Sequence, residues 1–187
     1  PVAVREALDV VRGHPMAKNA LSTALLDAWL RARGESLGSY LGATRDIIDC
    51  GVSVGIPATE SIDALLEEVG SYIDTGYRRI KLKIEPGWDH EPMAAVRAAW
   101  PEVPLQVDAN QAYTRSHADH LAALDPFDLI LIEQPLHEED WYGHVMLSEV
   151  CATPICLDES ILSVDSADSA LRFGATTIIN IKPGRVG

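Results

Sequence analysis

The 187-residue chain carries 15 lysines and arginines against 28 aspartates and glutamates, a formal net charge of −13, with 47% apolar and 23% charged residues. That composition can bury a substantial core and excludes a disordered tail. The acidic excess argues against the broad basic face that a nucleic-acid backbone or an anionic membrane surface demands, while a small ligand can still find local positive charge inside an acidic protein.

The chain opens Pro1-Val2-Ala3-Val4, with no initiator Met and no basic leader region, and so reads as a piece of a longer chain without a secretory signal. Residues 15–41 read as helix: Ala17, Ala20, Leu21, Ala24, Leu25, Ala28 and Trp29 recur at three and four residues, and Gly34 sits where a C-terminal cap belongs. From there β-rich runs at 51–56, 79–84, 105–108, 129–133, 155–158 and 177–181 alternate with helical stretches at 61–75, 90–100, 116–124, 141–150 and 166–173. Strand and helix repeating without hairpin turns are the mark of parallel βαβ units, and near-continuous apolar strands mean a sheet covered on both faces. A doubly wound open sheet usually shows a glycine-rich phosphate turn after its first strand, and Ile56-Pro57-Ala58-Thr59-Glu60 is not one. The expected fold is therefore an α/β class (β/α) barrel, with six strands of the usual eight. Three cysteines, Cys50, Cys151 and Cys156, are too scattered for a disulfide framework or a zinc ribbon, which points to a reducing, cytoplasmic compartment. The longest apolar runs fall far short of a membrane span.

What ends each strand is the informative feature. Lys83, Asp108, Glu133 and Asp158 are spaced by 25 residues each, and Lys182 follows 24 later. One βα unit has about that length, so the five are expected at equivalent places on five successive strands, at the C-terminal ends where barrel enzymes keep their chemistry. Lys81 and Lys83 leave one face of their strand, as do Asp108 and Asn110. Three carboxylates converging with no His or Cys among them make an oxygen-rich site suited to Mg²⁺ or Mn²⁺. A lysine crowded by a second cation and a divalent ion gives up its proton more readily, which makes Lys83 a usable base, and Lys182 faces the site from the other side. Such lysines can remove and return a proton at an α-carbon while the metal stabilises an enediolate. Taken singly, Asp158 reads as a helix cap and Lys81-x-Lys83 as an edge-strand device. Five such residues in register do not.

The segments Ile80-Lys81-Leu82-Lys83-Ile84, Val107-Asp108-Ala109-Asn110-Gln111, Ile132-Glu133-Gln134-Pro135, Leu157-Asp158-Glu159-Ser160 and Ile179-Asn180-Ile181-Lys182-Pro183-Gly184-Arg185-Val186-Gly187 resemble the enolase superfamily, in its muconate-lactonizing-enzyme subgroup. The resemblance implies Asp108, Glu133 and Asp158 as Mg²⁺ ligands and Lys83 and Lys182 as acid/base groups on opposite faces. It makes Lys81 a group that tunes Lys83 and meets the substrate carboxylate, with Asn110 and Glu159 as support. Use of a lysine base with Mg²⁺ is a known arrangement of that superfamily. Within the subgroup the wording is similar to o-succinylbenzoate synthases, which dehydrate a succinyl cyclohexadiene carboxylate on the menaquinone route, and to N-acylamino acid racemases. Dipeptide epimerases and muconate cycloisomerases share the same residues and are the alternatives. The resemblance further implies residues 1–49 as the helical end of an α+β capping domain and lead-in, 50–187 as a partial barrel lacking its last strands, a small carboxylate substrate, and a homo-oligomer for the full-length protein.

The remaining residues read as structural. His117 and His120 are expected on a solvated helix face, and His14, His90, His137 and His144 have no convergent partners in sequence. Trp88 and Trp141 follow strand ends and are candidates to line the mouth, although Trp141 more often packs its helix, while Cys156 reads as a small core residue. The rival from another class is a non-catalytic barrel fragment that binds metal or a partner chain through its open edge. A natural chain ending at Gly187 is expected to show no turnover, whereas a reading frame that adds two strands and a cap supports the enzyme.

Overall fold

The structure, a computed structural model, describes residues 2–186. Helices α1 (Val2–Asp9), α2 (Pro15–Arg33) and α3 (Leu37–Tyr40) come first. The single helix expected over 15–41 stops at Gly34, whose φ of 64° lets its N–H turn back onto the carbonyls of Leu30 and Arg31. Strand and helix then alternate: β1 (Gly51–Val54), α4 (Ile62–Thr75), β2 (Arg79–Lys83), α5 (His90–Ala99), β3 (Leu105–Asp108), α6 (Ala118–Ala122), β4 (Ile132–Glu133), α7 (Trp141–Val150), β5 (Ile155–Leu157), α8 (Val164–Arg172), β6 (Ile178–Ile179) and α9 (Pro183–Val186). Among the described residues the six strands form one parallel sheet in sequence order, with β1 and β6 at its open edges. No helix of the described residues is long and apolar enough to cross a membrane.

Period two divides each strand. Ile80, Leu82, Leu105, Val107, Ile132, Ile155 and Leu157 pack with Leu65, Val69, Met93, Val96, Leu121 and Leu147 of the helices into one buried core. Burying a side chain of this size contributes about 1.5–3 kcal/mol. The other parity (Lys81, Gln106, Glu133, Cys156) lines the inner side of the sheet. The helices start where the sequence supplies acceptors: Ser61, Asp140 and Ser163 cap α4, α7 and α8 by taking the N–H of Ala64, Gly143 and Ser166.

Register refines the expected equivalence of the strand ends. Lys83 pairs with Asp108 and Asp108 with Glu133, but Glu133 pairs with Cys156, so Asp158 stands two residues further along. Leu157 pairs with Ile179, which leaves Lys182 beyond the end of β6. Strands tilted in a curving sheet must stagger their register, and the two-residue advance keeps the later side chains at the mouth instead of letting them sink below it. Apolar side chains stay open around the edge strands: Ile47 and Ile48 precede β1, and Phe173 and Ile181 flank β6.

Candidate active site

At the C-terminal ends of β2 to β6, Asp108, Glu133 and Asp158 are each 2% exposed or less, a burial that carboxylates tolerate only when paired. Lys81 Nζ donates to Glu133 Oε2 at 2.9 Å and stands 3.1 Å from Asp108 Oδ2, the same oxygen that accepts from Lys83 Nζ at 2.7 Å. Two ammonium groups thus meet on one carboxylate oxygen. Burial alone raises the Asp108 carboxyl, but hydrogen bonds and charge from Lys83 and Lys81 outweigh it and hold it below its ordinary 3.8. Burial likewise lowers the Lys81 ammonium, and Glu133 and Asp108 outweigh that too, holding it above 10.5. Asp158 is bound separately, one oxygen by Lys182 and the other by Arg185 at 2.7 Å.

Asn110 completes the row. Its Oδ1 accepts from Lys83, its Nδ2 donates to Glu159 Oε1 at 3.2 Å, and its own N–H donates to Asp108 Oδ1 at 3.1 Å. The sequence-derived set, Lys81, Lys83, Asp108, Asn110, Glu133, Asp158, Glu159 and Lys182, therefore stands along one mouth as two knots, one on Asp108 and Glu133 and the other on Asp158. The two are linked through Asn110 and Glu159. Below them a cavity of about 360 Å³ opens on the inner side of the sheet, lined in part by Arg79, Lys81, Gln106, Glu133 and Asn180.

Three residues at this site were not singled out from the sequence. Asn180 Nδ2 donates to Glu133 Oε1 at 2.8 Å, and its position two residues before Lys182 puts it on the same parity, a signal that was present in the sequence. Arg185 lies three residues after Lys182, one turn along α9. Gln134 had no signal: it is fully buried behind the mouth, and its side chain joins the ends of β4 and β5. Three expectations outside the site resolve as follows. Trp88 is 8% exposed and belongs to the core, not to the mouth; Trp141 packs against that core. Cys156 is buried, and burial followed by the neighbouring carboxylates pushes its thiol up to about 12, so it stays protonated. Gly187, the last residue of the quoted motif, lies outside the described residues.

The donor chemistry fits a hard divalent cation: three carboxylates on adjacent strands, oxygen donors alone, and a buried Glu159 Oε2 without a hydrogen-bond partner. The Lys81 ammonium, seated between Asp108 and Glu133, marks a point that already demands positive charge.

Residues 64–187 match the family model described as enolase C-terminal domain-like. An N-succinylamino acid racemase from Amycolatopsis is 59% identical over 94% of this chain and 48% of its own length. An o-succinylbenzoate synthase from Geobacillus kaustophilus is 48% identical over all of this chain and 49% of its own. Among solved structures, a member of the enolase superfamily from Enterococcus faecalis superposes with a TM-score of 0.91 at 42% identity, over 98% of this chain and 49% of that one. L-Talarate dehydratase from Polaromonas, complexed with Mg and L-glucarate, gives 0.85 at 30% identity, over all of this chain and 56% of that one. The chain spans about half the length of the curated relatives it matches.

Proposed function

The chain belongs to the enolase C-terminal domain-like family of the enolase superfamily, and on that premise we propose that its site removes a proton α to a substrate carboxylate through an enediolate intermediate, as o-succinylbenzoate synthases and N-acylamino acid racemases do. The observation that carries this reading is a pair of lysines, Lys83 at the end of β2 and Lys182 after β6, flanking one row of buried carboxylates from both sides. Lys83 is the base in either reaction. In dehydration it takes the α-proton and returns a proton to the departing hydroxyl, which leaves as water, while Lys182 steadies the charge of the intermediate. In racemisation Lys83 and Lys182 exchange protons with the two faces of the α-carbon. Lys81 spreads the charge on Asp108 and meets the substrate carboxylate, and Asn110 and Glu159 hold Lys83 in line.

Asp108, Glu133 and Asp158 would hold Mg²⁺ or Mn²⁺. When bound, the ion supplies positive charge to the substrate carboxylate and so makes the α-proton easier to remove. Formal charge supports the assignment. Asp108, Glu133, Asp158 and Glu159 are balanced by Lys81, Lys83, Lys182 and Arg185. A divalent ion entering with a substrate that bears two carboxylates, as an N-succinyl amino acid does, keeps that balance at zero.

In this reading residues 1–49 belong to the end of a capping domain and 50–187 to the catalytic barrel. Cys50, Cys151 and Cys156 are all free thiols, which supports a reducing, cytoplasmic compartment. The test is solvent deuterium exchange at the α-carbon of an N-succinyl amino acid, with Mg²⁺, in the complete reading frame. Exchange should appear and should fall by at least about 100-fold in Lys83→Ala. Absence of exchange, or exchange unchanged by that substitution, overturns the reading. A parallel assay of cyclohexadiene dehydration chooses between synthase and racemase.

A further inference from the structure

A second group of ligand-bearing side chains lies outside the carboxylate row, where the segments after β2 and β3 meet. Asp89 caps α5, its Oδ1 accepting the His90 N–H at 2.6 Å. Its Oδ2 accepts from the Tyr113 hydroxyl at 2.9 Å and from His120 Nε2 at 2.6 Å. His90 Nε2 donates to the His120 carbonyl at 3.1 Å, and the two rings stand edge to face with centroids 4.6 Å apart. A carboxylate oxygen of Asp89 and one ring nitrogen from each histidine all fall within 4.8 Å of one another. Among the described residues this is the group of three that does so; the carboxylates of the mouth, each closed on a lysine or arginine, stand further apart.

His90, expected to lack a partner, pairs with His120, which stands on the exposed helix face expected for it. A helix cap, a tyrosine partner and one histidine account for every hydrogen bond Asp89 makes. The second imidazole, His90, brings a ring nitrogen within 4.8 Å of the same carboxylate and stands outside that account. We propose that Asp89, His90 and His120 form a binding site for one borderline divalent cation, Zn²⁺, separate from the oxygen site at the mouth.

Two nitrogens and one carboxylate oxygen suit Zn²⁺ and disfavour Mg²⁺, and three protein ligands leave the fourth tetrahedral position to water. The His120 side chain is 42% exposed and gives the ion a way in, while Asp89 is buried at 5%. Ligand atoms about 2.0–2.2 Å from a tetrahedral ion lie roughly 3.3 Å apart, so the 2.6 Å contact between Asp89 and His120 has to open by less than about 1 Å as the metal takes the place of the shared proton. The supporting shell is already built: Tyr113 and the His90 N–H hold the Asp89 carboxylate in place, as ligating carboxylates require. The bound ion ties α6 to the start of α5, and so ties the segment after Lys83 to the segment after Asn110. The site sits between two interior strands, away from both open edges of the sheet.

The experiment is a calorimetric titration of the full chain with Zn²⁺ in excess Mg²⁺, carrying Cys50→Ser to remove the exposed thiol. Ring ¹⁵N spectra follow the histidines in parallel. One Zn²⁺ per chain is expected, with the His90 and His120 ring signals shifting together. His90→Ala and His120→Ala should each weaken binding by at least about tenfold, and Tyr113→Phe should weaken it less while keeping the stoichiometry. Circular dichroism of each variant establishes that the fold is kept. Absence of Zn²⁺ binding under excess Mg²⁺, ring shifts confined to other histidines, or binding unchanged in His90→Ala and His120→Ala would each overturn the proposal.

Discussion

The side-chain carbonyl of Gln134 accepts the backbone N–H of Asp158 at 2.9 Å, so that an uncharged residue after β4 fixes the carboxylate that follows β5. The same oxygen takes the Ser160 N–H at 3.2 Å, while Gln134 Nε2 donates to the Leu136 carbonyl at 3.1 Å and to Ser160 Oγ at 2.8 Å. Gln134 is fully buried and holds a φ of 39°, a left-handed conformation that costs a non-glycine residue about 1–2 kcal/mol. Four hydrogen bonds offset that strain.

Gln134→Leu leaves two buried N–H groups without an acceptor, each costing about 1–3 kcal/mol. A loss of roughly 3 kcal/mol or more in urea denaturation is expected, with faster amide exchange at Asp158 and Ser160. Unchanged exchange at both amides would mean that Gln134 fills space and does not position Asp158.

The two cations on Asp158 should separate into a structural and a chemical one. Arg185 has a side chain 15% exposed and Lys182 one 48% exposed, on a carboxylate with no exposure at all. Arg185→Leu removes a charge-assisted hydrogen bond from a buried group and is expected to cost roughly 1.5–3 kcal/mol by denaturation. Lys182→Met should cost less stability and more racemisation, because its ammonium is half in solvent and free to move to a substrate.

Asn110 joins Lys83 to Glu159 while holding a φ of 41°. Asn110→Gly removes the side chain and suits that φ, so the denaturation midpoint should barely move while α-proton exchange falls by about tenfold or more. Asn110→Ala removes the same contacts and adds strain, so stability and exchange should both fall. Equal exchange rates in wild type and the glycine variant would release Asn110 from any part in positioning Lys83.

The acid limb of stability should depend in part on Asp140. Hydrogen bonding from Arg115 outweighs burial, and with the Gly143 N–H it holds this carboxyl below its ordinary 3.8. A carboxyl lowered by folding stabilises the native state above the unfolded value, and that contribution is lost as pH falls through the folded value. Asp140→Asn keeps the cap on Gly143 but cannot titrate. The wild-type and variant melting temperatures should therefore differ at pH 6 and draw together as pH falls below about 3.8. A gap that stays constant with pH would assign the interaction to the hydrogen bond alone.

The sequence by itself determined the alternation of strands and helices, the parity of each strand, and the row of lysines and acids at the strand ends. These are local properties: period two sets which face a residue occupies, and the length of one βα unit sets the recurrence of 25 residues. Both can be read without knowing how the chain closes on itself. Tertiary structure decided what those residues touch. The two-residue advance of Asp158, Asn180 on Glu133, Gln134 behind Asp158, Trp88 in the core and His90 beside His120 all depend on contacts between segments brought together by sheet register and curvature. Local periodicity says nothing about register between strands, and a side chain's partner across a sheet is fixed only once that register exists.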